Sequence, residues 1–247
     1  MENATPPTPK GRVSVAKIKM KFLKKCLDVA MCLVLSVAMC SAQPAAITQH
    51  RAMHWIILVD RDTDGDIARA AGCTANAVAP DVLLTAEHCN LDNTNEIYLD
   101  VDKTMVRGGT AHRYTITQKY FDHEDHMLIV IPGAHFSSFL SMKTRYPRQG
   151  ERLHFWGNPA GIQDQYRETL VTGQTQYQND SDDDETVDAS GTMFLFTGPI
   201  VGGDSGSALL AEDGTVVAII TFGIENGQFG GAFPLQFTQQ QIAQATK

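Results

Sequence analysis

Basic residues are in the minority, with 20 Lys and Arg against 28 Asp and Glu and a formal net charge of −8 over 247 residues. No basic arm or patch is left to follow a phosphate backbone, which excludes a nucleic-acid partner. No internal repeat of fixed period stands out, so repeat architectures are set aside. Helical periodicity is almost absent. It surfaces only at the end, where "TQQQIAQATK" predicts a short C-terminal helix with Thr238 as N-cap. Cysteine is scarce: of five, Cys26, Cys32 and Cys40 fall in the first forty residues and only Cys73 and Cys89 lie beyond. What remains is ordinary globular composition, 43% hydrophobic and 19% charged, enough for one or two modest domains.

The N-terminal stretch differs in kind. "KIKMKFLKK" is strongly basic, Val29 to Met39 carries no charge, and "CSAQPAA" supplies small residues. Basic, apolar and small segments in that order make a secretory signal. Its apolar part, shortened by Asp28, is too brief to span a bilayer as an ordinary anchor. Cleavage is expected after Ala42, with Ala45 or Ala46 as alternatives, so residues 1–42 are an extension and signal peptide. Their removal takes away seven basic and two acidic residues and moves the net charge from −8 to −13. Such acidity suits a soluble exported chain, secreted or periplasmic, with no stable membrane anchor. In that compartment Cys73 and Cys89 read as one disulfide. Closing a loop of that length is worth about 3 kcal/mol in the chain-entropy model.

Beyond the leader, short apolar runs such as "WIILVD", "VLLTA", "MLIVI", "RLHFWG", "TMFLF" and "TVVAIITF" alternate with polar or glycine-bearing turns. Their length and their Val, Ile, Thr and Phe content predict an all-β sandwich or barrel. The stretch "QNDSDDDETVDASG" predicts an exposed loop.

Three local signals carry chemistry. His88 follows an apolar strand in "VLLTAEHC", Asp125 precedes another in "DHEDHMLIVI", and Ser205 sits among small residues in "GGDSGSAL". Each alone is as well explained by structure; together they give the order His, Asp, Ser of a catalytic triad. A serine hydroxyl needs an imidazole to take its proton, the role expected of His88. That imidazole needs a carboxylate on its other nitrogen, expected of Asp125, whose backbone the following strand would anchor. A developing oxyanion needs backbone N–H donors that a side chain would crowd, expected of Gly203 and Ser205.

"TAEHC", "DHMLI" and "GDSGSAL" resemble the three signature segments of the chymotrypsin-like, trypsin-fold serine peptidases, and the Cys73 to Cys89 spacing is similar to the disulfide around that family's histidine loop. "FWGNPAG" at 155–161 and "ITFGI" at 220–224 resemble its interdomain segment and its substrate-binding strand. The resemblance runs from about Trp55 to the C-terminal helix. It implies two six-stranded antiparallel β-barrels with the active site in the cleft between them. The first, 43–145, would carry His88 and Asp125; the second, 146–247, would carry Ser205 and the C-terminal helix. A serine endopeptidase acting on a protein or peptide substrate, without cofactor or metal, is the expectation. A catalytically silent binding module and an esterase using the same triad are the alternatives.

Departures from the family pattern matter. Glu87 replaces the usual small residue before the histidine, and the serine segment lacks a framing cysteine, as in leaner bacterial and viral members. The resemblance assigns the primary pocket to Pro199 and Ile200, with Phe222 as a wall and Thr221 and Gly223 pairing with substrate backbone. None is charged, so small or medium apolar side chains are the expected preference. Asp122 is the alternative triad acid; the His and carboxylate cluster around it would suit a metal, but neighbours on one strand end project to opposite faces, which argues against a metal site. "DRDTDGD" from Asp60 copies the opening of a calcium loop but has Ala71 at its twelfth position, which favours an acidic hairpin turn. An amine on Ile47, if cleavage fell after Ala46, would be a candidate partner for Asp204.

Overall fold

The computed structural model describes residues 49–91, 93–100, 112–177, 191–224 and 228–247. The signal segment 1–42, Ile47 and the acidic stretch Asp180 to Asp188 lie outside them. Thirteen strands, a helical stretch at 49–52, two single 3-10 turns and a short C-terminal helix make up the regular structure among these residues, mostly β as expected.

The first half forms a seven-stranded antiparallel sheet. Its strands are β1 (Met53–Arg61), β2 (Ile67–Ala79), β3 (Val82–Ala86), β4 (Glu96–Leu99), β5 (His112–Thr115), β6 (Gln118–Phe121) and β7 (His126–Val130), in the order β5-β4-β1-β2-β3-β7-β6. This half is a half-barrel of seven strands rather than six and fits the first barrel of the expected two-barrel fold, with no ladder among the described residues joining its edge strands. The second half is a closed six-stranded barrel in the order β10-β13-β12-β11-β8-β9. It uses β8 (Arg152–Gly157), β9 (Gln165–Tyr177), β10 (Gly191–Thr197), β11 (Ala208–Leu210), β12 (Val216–Ile224) and β13 (Phe229–Pro234).

Burial follows the apolar pattern. β8, "RLHFWG", alternates strictly, with Leu153 and Phe155 turned inward. β3, "VLLTA", is buried throughout because it lies between β2 and β7. Phe155, Phe194 and Phe196 fill the barrel; Leu83, Leu84, Ile97 and Met127 fill the sheet's core. The sheet's core continues into Ala208, Leu210, Val216 and Ile219 of the barrel and Leu235, Phe237 and Ala245 behind it, so the two halves share apolar contact.

Local signals hold where they were strongest. The C-terminal helix spans Gln239–Ala245 with Thr238 as N-cap, in a reciprocal capping box with Gln241. The Asp60 segment is the β1–β2 hairpin: Asp62 Oδ1 accepts the N–H groups of Asp64 and Asp66, and Asp60 pairs with Arg69. Cys73 and Cys89 are disulfide-bonded, tying β2 to the turn after β3. No helix among the described residues is long and apolar enough to cross a membrane.

Candidate active site

Strand register brings His88 and Asp125 together. Ala86, the last residue of β3, lies opposite His126, the first of β7, so the residue two beyond one meets the residue just before the other. His88 sits on a single 3-10 turn, Glu87–Cys89, whose first N–H donates to Asp125 O at 2.9 Å. The His88 N–H donates to Asp125 Oδ1 at 2.8 Å, and His88 Nδ1 lies 2.8 Å from Oδ2. A carboxylate only accepts, so Nδ1 carries the proton and Nε2 is left as the basic nitrogen. The Asp125 side chain is fully buried, whereas His88 keeps 25% exposure, the profile of a shielded carboxylate behind a reachable imidazole. Asp125 itself adopts a left-handed backbone, φ +63°, a conformation that non-glycine residues hold only under constraint.

Ser205 is half-buried in the turn before β11. Gly203 and Gly206 on either side have φ of +96° and +84°. A Cβ on Gly206 would lie 2.0 Å from Thr74 O and 3.2 Å from Ala86 N, so the serine turn presses directly on the strand end that leads to His88. Among the described residues the N–H groups of Gly203 and Ser205 have no backbone acceptor, and Ser205 O is taken by Thr74 N at 2.9 Å. Those two amides are therefore available to an anion.

The turn is pinned at successive carbonyls. Gly202 O accepts from Ala160 N at 2.7 Å, Gly203 O from Thr74 Oγ1 at 2.8 Å, and Gly206 O from Asn76 Nδ2 at 2.7 Å. Asn158, fully buried, donates to Thr74 Oγ1 at 2.9 Å and so locks the first sheet to the loop after β8. Sequence reasoning missed Thr74, Asn76 and Asn158 in this role; the only signals were their places beside Cys73 and within "GNPAG".

Arg167 was also missed. Its guanidinium forks onto the fully buried Asp204 carboxylate, Nη1 to Oδ2 at 2.9 Å and Nη2 to Oδ1, and Nη1 also donates to Pro199 O at 3.0 Å. The guanidinium carbon lies 4.5 Å from the centre of the Phe155 ring. Both Asp204 oxygens are thus engaged from within the barrel. Asp122 is likewise committed elsewhere: it pairs with His126 at 2.7 Å, not with His88. No group of three metal-ligating side chains gathers among the described residues.

Pocket residues fall unevenly. Pro199 is exposed, and Ile200 is buried with its Cγ1 2.9 Å from where a Cβ on Gly230 would sit and its carbonyl 2.8 Å from one on Gly223. Thr221 is buried beside a bulge between Ile220 and Phe222. The Phe222 ring joins Tyr177 at 5.2 Å and Phe233 at 6.4 Å in an aromatic cluster with Met193.

The family model described as trypsin-like peptidase domain matches residues 73–219, from the first cysteine of the disulfide to β12. The chain belongs to the trypsin-like peptidase family. Among solved structures, this family member is similar to the active form of the Rv3671c protease from M. tuberculosis, with a TM-score of 0.63, 15% identity, and coverage of 82% of this chain and 84% of that one. The inactive form of the same protease has a TM-score of 0.60 at 16% identity, covering 83% and 94%. An HtrA-type protease, AlgW with tripeptide, has 0.59 at 16%, covering 82% of this trypsin-like chain and 62% of its own. At such identities the likeness is one of fold. No curated protein matches by sequence.

Proposed function

We propose that this trypsin-like peptidase is an exported serine endopeptidase that works through an acyl-enzyme on Ser205. The observation that carries the reading is the His88 ring, held through Nδ1 by the buried Asp125 so that Nε2 is the nitrogen left to act as base. His88 takes the Ser205 proton as Oγ attacks the scissile carbonyl, and Asp125 stabilises the imidazolium. The N–H groups of Gly203 and Ser205 receive the oxyanion. His88 then protonates the leaving amine, and water, deprotonated by the same ring, releases the acyl group. The imidazole is at once the base for attack and the acid for departure.

The boundary between the His88- and Asp125-bearing half and the Ser205-bearing half is placed near 145. Export is supported by the N-terminal signal pattern and by the Cys73–Cys89 disulfide. The substrate strand would add along Thr221 to Gly223. Ile200, packed against Gly223 and Gly230, supports an uncharged primary pocket that takes small or medium apolar side chains. A strand, β11, follows Ser205 rather than a helix, which disfavours a hydrolase elbow and the esterase alternative.

The test is labelling with a fluorophosphonate followed by cleavage profiling on a peptide library. Labelling of the wild type, its loss in Ser205→Ala, and cleavage after small or medium apolar residues are expected. Failure to label would overturn the catalytic reading, and labelling without peptide cleavage would overturn the endopeptidase reading.

A further inference from the structure

The turn that delivers Asp125 is held by a second histidine and a second aspartate that the proposed chemistry does not use. Within residues 122–126, His123 and Asp125 both have left-handed backbones, φ +64° and +63°. Two such residues in one turn persist only where the surroundings over-determine them. An aspartate has few side-chain torsions, so the place of its carboxylate follows its backbone. Any relaxation of this turn therefore moves the carboxylate off His88.

The over-determination comes from Asp122. Its Oδ1 accepts Glu124 N at 3.0 Å, its Oδ2 accepts His126 Nδ1 at 2.7 Å and Gln236 N at 2.8 Å, and its own N–H donates to His126 O at 3.3 Å. Both side chains of the pair are wholly buried. The C-terminal segment closes the arrangement from behind: Gln241 Nε2 donates to Phe121 O at 2.8 Å, and the Phe237 ring lies 6.4 Å from the His126 ring. A polar pair with no exposure, placed where an apolar contact would suffice to bury β7, suggests a task beyond packing.

We propose that the buried Asp122–His126 pair, backed by Gln236 and Gln241, is a positioning device for the Asp125 carboxylate, so that the C-terminal segment acts on catalysis through it. This rests on the reading of Asp125 as the partner of a catalytic His88. Asp122 and His126 are positioning residues, since neither touches the reacting atoms. Both Asp122 oxygens accept hydrogen bonds, so Asp122→Asn, of the same shape, sets an NH₂ group against an N–H donor on one side or the other.

The experiment follows Ser205 phosphonylation in the full-length protein against fluorophosphonate concentration, for the wild type, Asp122→Asn, His126→Leu and a control, Leu83→Ala. Leu83→Ala removes buried volume from β3 and leaves the turn's bonds in place. Asp122→Asn and His126→Leu are expected to lower the limiting labelling rate about 10- to 100-fold, the scale of a misplaced catalytic group. Their half-saturating concentration stays unchanged, and the low-field proton resonance of His88 Nδ1 weakens. Leu83→Ala is expected to melt earlier but to label at the wild-type limiting rate below its transition. Should His126→Leu fail to fold, Asp122→Asn decides. Wild-type limiting rates in the variants, or slowing no greater than in Leu83→Ala, would overturn the positioning role. A wild type that does not label overturns the underlying catalytic reading instead, which keeps the two failures apart.

Discussion

Replacing Arg167 by Met tests whether an internal guanidinium organises the serine turn. The Asp204 side chain is fully buried, and Arg167 supplies a two-pronged contact to it while bonding Pro199 O on the far side of the same turn. Breaking a buried pair by removing one partner costs about 3–5 kcal/mol, because the remaining charge is left uncompensated. Asp204 retains one donor, Val201 N at 3.1 Å, so the lower end, about 3 kcal/mol, is expected. For a domain of this size that lowers the melting temperature by about 6–12 °C. The functional effect should be larger than the thermal one suggests. Asp204 lies between Gly203 and Ser205, the proposed oxyanion donors, and its carbonyl accepts Ser207 N at 2.9 Å, so a turn that rearranges to rehydrate the carboxylate carries both with it. A drop in fluorophosphonate labelling of about 10-fold or more is expected below the transition. Arg167→Lys, a point charge without the fork, should fall between. Unchanged melting and unchanged labelling in Arg167→Met would refute the reasoning.

Gly206→Ala places a Cβ 2.0 Å from Thr74 O and 2.4 Å from Thr85 Oγ1 at φ +84°. Urea unfolding should show a loss of at least about 2 kcal/mol, with labelling abolished; a neutral result would mean that the turn is not pressed on β2 and β3. Replacing Cys73 and Cys89 with Ser should cost about 3 kcal/mol, and the wild type in reductant should match the variant. Equal melting with and without reductant contradicts this. The Arg61 guanidinium, joined by the Tyr98 hydroxyl and Arg113, holds the Glu96 carboxyl down from 4.5 to about 2. A depressed carboxylate stabilises the fold fully above its unfolded value and loses that contribution as pH falls toward about 2. Glu96→Gln should therefore lower stability at pH 7, by about 1 kcal/mol after solvent screening of the partly exposed arginines. It should also flatten the stability profile between 4.5 and 2. An unchanged acid limb would refute the pairing.

Features set by neighbours in the chain were legible in the sequence. Thr238 and Gln241 cap each other across three residues, and Asp62 closes its own hairpin, because both use side chains that reach only local backbone. Strand-sized apolar runs announced the β class because alternation is imposed by the pleat itself. The sequence favoured Asp125 over Asp122 as the partner of His88 but gave no partner for Asp122 or His126. "DHEDH" offers two of each, and only the pairing of Ala86 with His126 across β3 and β7 sends Asp125 to His88 and leaves Asp122 for His126.

The seven-strand count of the first sheet, the Arg167–Asp204 pair and the Asn158–Thr74 bond escaped for the same reason, since each joins residues whose separation along the chain carries no periodic signal. The sequence by itself determined the β class, the family signature segments, the C-terminal helix and the presence of one cysteine pair beyond the leader, all short-range or compositional properties. Tertiary structure decided the partner of every buried charge. A buried charge is satisfied by whichever group the packed sheets bring within about 3 Å, and that choice is made by register and not by order along the chain.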